Sequence, residues 1–354
     1  MRSISSSTGS TARAARTVVG VVAAGALMAA CSNASNAATS TNGDGTTTIT
    51  VSQPFTSTLN SALYLADSKG YFKKNHLKVK FVTVSSGAGL AATLGGSAQI
   101  ALVSSVLPMN ALQQGQKFDI FAASGLGFPE SVLVSKAKYE AAGLTANSTL
   151  KQKMQFLADK PIAVESPTGE NSTVFKYLFD LAGLPTSSFK PTVLGNPAAI
   201  LAAVKNGKAI GTALGSPYPQ QAVADGYGMI PLNLSAGDVP QMQNILTLSL
   251  ATTPSYYKAH PEIIKEFTAA LQEGQDYLYA NTADAAKYMA GTYFSSAPES
   301  AVLAGITAQR SGGAIAQKAA ISKESVANLV KFMNATGQKT SPDYLSIFPT
   351  LSGS

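Results

Sequence analysis

Hydroxyl and glycine residues directly follow two strand-like stretches of the sequence, and groups of this kind bind the polar atoms of small molecules. Residues 85–87 (Ser-Ser-Gly) follow the alternating apolar residues 79–84, and Ser104 and Ser105 follow the apolar run 100–103. Free main-chain N–H groups at the start of a helix favour anionic or electron-rich groups. The pattern therefore favours ligand capture through hydrogen bonds over covalent chemistry.

The elements around these residues form a repeated α/β unit. The β-branched and apolar residues at 79–84 predict a strand, and residues 90–94 predict a helix that ends at a pair of glycines. A second strand at 100–103 and a second helix, which ends at Gly115, follow. In open α/β sheets, ligands bind beyond the carboxyl ends of the strands. We therefore expect the hydroxyl residues of both turns to line one binding site.

The first of these turns also permits other interpretations. The spacing Gly87-x-Gly89-x-x-Ala92 after a strand matches a dinucleotide-binding turn, but the acid expected about 20 residues further on is missing. A dinucleotide site, a turn that contacts another ligand, and a purely structural turn all remain open. We favour the turn that contacts a ligand.

A second α/β unit begins at residues 161–164 and leads into the loop Thr-Gly-Glu-Asn at 168–171. Glu170 lies at a predicted helix start, where the helix dipole stabilises an acid. Glu170 therefore either binds a ligand amine or ring N–H, or only stabilises the start of the helix. The loops contain no arginine, so a sulfonate or carboxylate would depend on main-chain N–H groups and hydroxyls. This composition favours a neutral or zwitterionic heterocycle over a strongly anionic ligand.

Aromatic residues in the same loops add a further candidate contact. Phe55 follows the predicted first strand at 47–52, Phe128 follows a later one, and Tyr218 lies in a small-residue turn. Each of the three either stacks on a planar ligand or packs in the core.

Catalytic groups are sparse. The two histidines, His76 and His260, lie in turn-like segments without metal-ligand spacing or a nearby nucleophile, and no serine is flanked as in a nucleophile elbow. General acid–base chemistry would fall to Glu130, Glu165 and Glu170, which do not form a spaced acid pair. We therefore predict that the protein is not an enzyme and that it has neither a cofactor nor a metal site.

Composition excludes other classes of protein. The 354 residues are 45% hydrophobic and 13% charged, which suits sizeable folded cores and not a disordered chain. The net charge of +7 includes three N-terminal arginines, and Arg310 is the one arginine of the rest. The lysines are scattered, whereas nucleic-acid-binding proteins concentrate basic residues on one face. We predict no nucleic-acid binding.

The N-terminal residues resemble the leader of an exported lipoprotein. Basic residues precede an apolar run at 18–30 that is too short to span a bilayer, and Leu-Met-Ala-Ala-Cys at 27–31 resembles the bacterial lipobox. We predict a signal peptide at 1–30, lipidation of Cys31 and a flexible tether at 31–45. The protein would be exported and lipid-anchored to the outer face of the bacterial cytoplasmic membrane.

Two motifs carry a resemblance to a known family. Lys-Gly-Tyr-Phe at 69–72 precedes a strand, and Gly-Ser-Ala-Gln-Ile-Ala at 96–101 follows the serine–glycine turn. This pattern resembles the substrate-binding proteins of ABC importers, in the branch that binds sulfonates, taurine, nitrate or thiamine pyrimidine precursors. Gln99 stands where the family pattern has an acid, and Gly-Lys-Ala-Ile-Gly at 207–211 lacks a second one. These departures leave the ligand in doubt.

The resemblance implies an α/β fold of two doubly wound lobes with a hinge and a central cleft, the type II periplasmic-binding-protein fold. Residues 46–134 plus 247–350 would form lobe 1, and residues 135–246 would form lobe 2. A small ligand of sulfonate, nitrate or pyrimidine type would be captured in the cleft. It would be delivered to an ABC permease and its ATPase, and we expect a monomer.

The predicted site combines the loop residues with the resemblance. The ligand-binding candidates are Gln53, Phe55, Ser85, Ser86, Gly87, Ser104, Ser105, Thr168, Gly169, Glu170, Asn171, Ser216 and Tyr218. Two alternatives remain open, namely an exported enzyme on the same fold that acts on a pyrimidine or phosphate ester, and a ligand-binding sensor lipoprotein.

Overall fold

Two β-sheets with helices packed on their faces make up the protein in the computed structural model, which describes residues 40–167 and 169–351. The predicted signal peptide, the predicted lipidation site Cys31, the predicted tether up to residue 39, and Thr168 lie outside these residues. Among the residues described, none of the helices combines the length and the apolar character needed to cross a membrane.

Eleven strands are described. They are β1 (Ser40–Thr41), β2 (Thr47–Gln53), β3 (Leu77–Thr83), β4 (Ile100–Ser104), β5 (Asp119–Gly127), β6 (Glu130–Ser135), β7 (Pro161–Val164), β8 (Lys190–Val193), β9 (Gly211–Gly215), β10 (Gly228–Asn233) and β11 (Gln243–Thr252).

Fourteen α-helices are described with them. They are α1 (Ser61–Ser68), α2 (Tyr71–Lys74), α3 (Ser86–Leu94), α4 (Val106–Gln113), α5 (Lys136–Ala141), α6 (Leu150–Leu157), α7 (Glu170–Leu181), α8 (Pro197–Lys205), α9 (Tyr218–Ala224), α10 (Pro254–Ala259), α11 (Pro261–Ala280), α12 (Thr282–Thr292), α13 (Glu299–Ser311) and α14 (Lys323–Ala335).

The two sheets repeat one strand order. The first runs β3-β2-β4-β11-β5, with the short strand β1 paired to the start of β2, and the second runs β8-β7-β9-β6-β10. In each sheet the fourth strand is antiparallel to its neighbours, β11 in the first and β6 in the second. The predicted α/β fold of two doubly wound lobes is therefore confirmed.

The chain passes between the two sheets twice. It leaves the first sheet after β5 and returns to it at β11, which lies between β4 and β5. The lobe boundaries at 134/135 and 246/247 remain a prediction, although β6 already belongs to the second sheet from Glu130 onwards. The end of the predicted tether, residues 40–45, forms a hairpin with β2.

The buried apolar side chains form two large clusters. One buried cluster packs α1 and α11 on the first sheet and includes Leu63 and Phe267. A larger cluster continues from the first sheet into the second lobe, through residues such as Val103, Val164 and Phe332. The C-terminal helix α14 is therefore part of the apolar material that joins the lobes.

Gln99 shows how the chain accommodates the loss of the family's acid. The main-chain N–H of Thr50 donates to Gln99 Oε1 at 2.7 Å, and the Gln99 N–H donates to the Thr50 carbonyl oxygen. The hydroxyl of Thr252 donates to the Gln99 carbonyl oxygen at 2.7 Å. A neutral amide thus ties β2 and β11 to the start of β4.

Candidate functional site

Two adjoining cavities lie where loops from both sheets meet. Their volumes are about 440 and 310 Å³, and Phe55, Pro129 and Glu170 line both. Phe55 follows β2 of the first sheet, whereas Glu170 begins α7 after β7 of the second. The two cavities therefore form one cleft at the carboxyl ends of the strands, as ligand sites do in open α/β sheets.

The larger cavity is mainly apolar, and we call it the apolar cavity. Its wall consists of Pro54, Phe55, Leu59, Ser86, Ser104, Val106, Leu107, Asn110, Phe128, Pro129, Gly169, Glu170, Thr173, Ile245, Thr247, Leu248, Leu329, Phe332 and Gln338. The ring of Phe332 packs 4.9 Å from that of Phe128 and 5.3 Å from that of Tyr177, measured between centroids. Helix α14 thus closes this cavity against both lobes.

The hydroxyls in the apolar cavity are placed by strand and helix ends. Ser104 is the last residue of β4, and Ser86 is the first residue of α3. Two further polar side chains are paired with each other, because the Asn110 amide donates to Gln338 Oε1 at 3.3 Å. The hydroxyls of Thr173 and Thr247 already donate to main-chain carbonyl oxygens. Half-buried Ser86 and Ser104 are therefore the serine hydroxyls that line this wall.

The smaller cavity carries three carboxyl groups, and we call it the acidic cavity. Its wall consists of Phe55, Thr56, Ser57, Pro129, Glu130, Glu165, Glu170, Asn171, Pro197, Ala213, Leu214, Gly215, Ser216 and Tyr218. Glu130 begins β6, Glu165 directly follows β7 and Glu170 begins α7. The second sheet therefore supplies all three carboxyl groups.

Each carboxyl group in the acidic cavity has a raised pKa. Burial raises the pKa of Glu130 well above its ordinary value, and the neighbouring Glu170 raises it further. The surrounding protein raises the pKa of Glu170 to about 7, with a further contribution from Glu165, although water still reaches the Glu170 side chain in the cleft. Burial also raises the pKa of Glu165. The described side chains around this cavity therefore compensate negative charge poorly.

Two buried polar atoms in this wall have no hydrogen-bond partner among the residues that the structure describes. They are Oε2 of Glu130 and Oγ of Ser216, whose residues are 6% and 3% exposed. A buried polar group without a partner costs about 1–3 kcal/mol. The acidic cavity therefore lacks partners that a bound molecule with N–H groups would supply.

A contact between the lobes holds the loop that carries Ser216. The hydroxyl of Thr58 donates to the Ser216 carbonyl oxygen at 3.4 Å. On its other side the loop meets α13, where a Cβ built on Gly305 would lie 2.5 Å from Ser216 Cβ. Glycine at 305 thus permits the close approach that places Ser216 in the acidic cavity.

The structure brings eight of the predicted ligand-binding residues to the cleft. They are Phe55, Ser86, Ser104, Gly169, Glu170, Asn171, Ser216 and Tyr218. Thr168, a ninth candidate, lies outside the described residues. Whether these residues bind a ligand remains a prediction.

Four of the candidates do not line either cavity. Gln53 is buried and accepts a hydrogen bond from the hydroxyl of Tyr64 at 2.8 Å, and buried Ser105 donates to Ser249 Oγ at 3.0 Å. Ser85 accepts from the Ala88 N–H as the N-cap of α3, and Gly87 lies exposed within that helix. The hydroxyl groups of Ser85 and Ser105 and the amide of Gln53 therefore make hydrogen bonds within the protein, and ligand binding by these residues and Gly87 remains a prediction.

Neither α14 nor β11 was predicted to contribute to the site. Leu329, Phe332 and Ile245 line the apolar cavity, yet they lie at least 192 residues after the end of β2. Their apolar periodicity is that of ordinary core residues, and no local signal marks them. Glu130 and Glu165 were weighed only as catalytic acids, although both line the acidic cavity.

Among the described residues, His, Cys, Asp and Glu form no group of three that could hold a metal ion. His76 and His260 lie away from the cleft, beside Glu266 and Glu262 respectively. The cleft therefore presents hydroxyls, carboxyl groups and aromatic rings.

The repeated strand order and the cleft between the two sheets define a type II periplasmic-binding-protein fold. The chain belongs to the NMT1-like family, whose model matches residues 47–292. The resemblance to the substrate-binding proteins of ABC importers is thereby confirmed. No curated protein sequence matches the chain.

Solved structures show the same fold at low sequence identity. The chain is 18% identical to the periplasmic nitrate-binding protein of Synechocystis, with 85% of each chain covered and a TM-score of 0.61. It is 15% identical to a putative sulfonate-binding protein of Methylobacillus flagellatus, over 87% of this chain and 94% of that one, with a TM-score of 0.62. The aliphatic sulphonate binding protein of Escherichia coli is 17% identical over 74% of this chain and 83% of its own, with a TM-score of 0.58.

Proposed function

We propose that the protein is the extracytoplasmic solute-binding component of an ABC importer. It captures a small organic molecule in the cleft between its lobes and delivers it to a membrane permease, which an ATPase drives. The observation that carries this proposal is the cleft itself, which is lined by loops from the carboxyl ends of strands in both sheets. The family and the named functions of the structural neighbours support it.

Capture by two lobes has a direct physical basis in this chain. Phe55 comes from the first lobe and Glu170 from the second, and both line the two cavities. A ligand that contacts both residues is bound only when the lobes are together, so it favours the closed form by its differential affinity. The permease would recognise the relative position of the lobes in that form.

The location that we propose depends on the leader. A signal peptide at 1–30 and a lipid on Cys31 would hold the protein at the outer face of the bacterial cytoplasmic membrane, where a permease is accessible. Lobe boundaries at 134/135 and 246/247, a monomeric state and the absence of enzymatic activity also belong to this proposal.

A binding screen tests the function. Purified protein is heated with sulfonates, nitrate, pyrimidines, amines and amino acids, and hits are titrated by calorimetry. A ligand that binds only the native state raises the melting temperature. We expect one-site binding that Ser86→Phe and Ser104→Phe abolish, because each bulky ring would fill the apolar cavity. Ser187→Phe, at an exposed serine away from the cleft, should bind normally.

The alternatives give different results in the same experiment. Turnover of the bound ligand by the purified protein would show an enzyme on this fold instead. Affinity that survives both Ser86→Phe and Ser104→Phe would place binding elsewhere and contradict the cleft assignment. A sensor lipoprotein would bind the ligand but would not support its uptake in cells with the candidate permease.

A further inference from the structure

The described ionisable side chains that line the cleft include acids but no bases. Glu130, Glu165 and Glu170 line the acidic cavity, and the described residues that line either cavity include no lysine, arginine or histidine. Burial raises the pKa of all three carboxyl groups, and neighbouring carboxyl groups raise those of Glu130 and Glu170 further. No described cation lowers the pKa of any of the three. The cleft would therefore repel an anionic group that approaches these residues.

A second observation points to a ligand with donors. Glu130 is 6% exposed, and its Oε2 atom has no hydrogen-bond partner in the described part of the chain. A cation beside Glu130 would favour the ionised form of this carboxyl group, and an ionised carboxylate has acceptor sites only, which N–H donors fill. A buried charge is normally paired, and a cation with N–H groups would provide both the charge and the hydrogen bonds.

The adjoining apolar cavity indicates that the rest of the ligand is apolar. It offers about 440 Å³ beside Phe55, Phe128 and Leu248, and it shares the Glu170 wall with the acidic cavity. Burial of apolar surface there stabilises a complex by roughly 25 cal/mol per Å². A molecule that spans both cavities would place an apolar body among these side chains and a polar end beside the carboxyls.

We propose that the ligand is a small organic cation, an ammonium or amidinium group on a compact apolar or aromatic body. This inference rests on the proposed function, because it names the class of solute that the same cleft captures. The N–H groups would bind Glu165 and Glu170 at the cleft surface, and Glu130 would supply the buried acceptor behind them. The sulfonate and nitrate in the names of the structural neighbours belong to those proteins, and this cleft has the opposite charge preference.

Matched probes test the sign of the preferred charge. Benzamidine and benzenesulfonate have the same ring with opposite charge, and putrescine, nitrate and taurine extend the set. Binding is followed by melting temperature and calorimetry at pH 8. We expect benzamidine or putrescine to raise the melting temperature of the native protein, and the anions to leave it unchanged.

Variants connect the preference to the named residues. We expect Glu165→Gln with Glu170→Gln to weaken cation binding at least tenfold, since both are exposed in the cleft and the variant should fold. Glu170→Lys should abolish cation binding. Glu324→Gln, at an exposed glutamate that lines neither cavity, is the control and should bind like the native protein.

The outcomes separate this inference from the proposed function. Binding of benzenesulfonate, nitrate or taurine without binding of the cations would overturn the inference and leave the solute-binding role supported. Cation binding that is unchanged by the double substitution would also overturn it. Binding of no probe in either set would contradict both the inference and the proposed function.

Discussion

Gly305→Ala tests whether the contact between α13 and the Ser216 loop shapes the binding site. The added Cβ would lie 2.5 Å from Ser216 Cβ and 2.7 Å from Ser216 Oγ. Carbon atoms in contact are normally about 3.5–4.0 Å apart. The helix and the loop must therefore separate by about 1 Å or more, and the loop also carries Tyr218.

Two opposing effects set the magnitude. Overpacking costs about 1–3 kcal/mol. Alanine in place of glycine inside a helix contributes about 0.5–1 kcal/mol in the other direction. We expect a net loss of about 0.5–2 kcal/mol in the free energy of unfolding. A displaced Ser216 and Tyr218 should also weaken ligand binding by about 1 kcal/mol, which is roughly fivefold.

Urea denaturation measures the stability, and calorimetry with the ligand found in the screen measures the affinity. Gly291→Ala is the matched control, because Gly291 is also helical and a Cβ there would have no atom within 4 Å. That variant should gain about 0.5–1 kcal/mol and keep its affinity. Adding Ser216→Gly to Gly305→Ala removes the clashing side chain and should recover the lost stability.

The reasoning fails if Gly305→Ala is stabilised as much as Gly291→Ala and binds the ligand unchanged. In that case α13 and the loop would move apart at no cost, and their contact would not define the acidic cavity.

Three further predictions concern the cleft. Because the pKa of Glu170 is raised from 4.5 to about 7, the native state binds more protons in that window, so the free energy of unfolding should fall as pH rises through it. The full pKa shift of Glu170 corresponds to about 3 kcal/mol of stability. Water in the cleft should reduce the loss in unfolding free energy to about 1 kcal/mol. Glu170→Gln should make the unfolding free energy from urea denaturation less dependent on pH. Glu130→Gln should raise the melting temperature at pH 8 and barely change it at pH 4, since burial penalises the ionised form. Phe55→Ala should leave stability within about 0.5 kcal/mol but weaken binding severalfold in calorimetry, because the 43% exposed ring lines both cavities.

Each of the three has a result that contradicts it. Unfolding free energies of the native protein that stay level between pH 4.5 and 7 would show that Glu170 is solvated as in the unfolded chain. Equal loss of stability at both pH values for Glu130→Gln would mean that the carboxyl makes hydrogen bonds that the amide does not. Leu94→Ala is the control for Phe55→Ala, since Leu94 is 46% exposed and lines neither cavity, and equal affinity loss in both would refute a ligand contact at Phe55.

Helical periodicity can be read directly from the chain, because it is a local pattern. Residues 261–280 form α11, whose buried face carries apolar residues at helical spacing, namely Ile263, Ile264, Phe267 and Leu271. The first strand and its polar end were also predicted, and β2 ends at Gln53. The fold class followed from the family motifs and not from these patterns.

Strands of the second lobe were harder to predict. Neither β9, with glycine at both ends, nor β10, which contains Pro231, was predicted as a strand, because glycine and proline are poor strand formers. A Cβ on Gly211 would lie 2.6 Å from the carbonyl oxygen of Leu133, so a residue 78 positions earlier in the sequence requires glycine here. Requirements of this kind come from tertiary packing.

Some features of the site can likewise be predicted from local sequence, whereas others depend on tertiary packing. Serines at strand ends are visible in sequence, but whether a hydroxyl faces a ligand depends on its neighbours. Ser104 lines the apolar cavity while the next residue, Ser105, turns inward to Ser249. The acidic cavity is a product of tertiary structure, because Glu130 and Glu165 are 35 positions apart in the chain.

The position of β11 affects how the chain can be built during synthesis. This strand separates β4 from β5, yet it emerges from the ribosome more than a hundred residues after both. Until then each of those strands has an open edge, which is a site for aggregation. Pairing at such sequence separation is also slow. A nascent chain that stops before residue 243 would therefore leave its N-terminal half incomplete and dependent on chaperones.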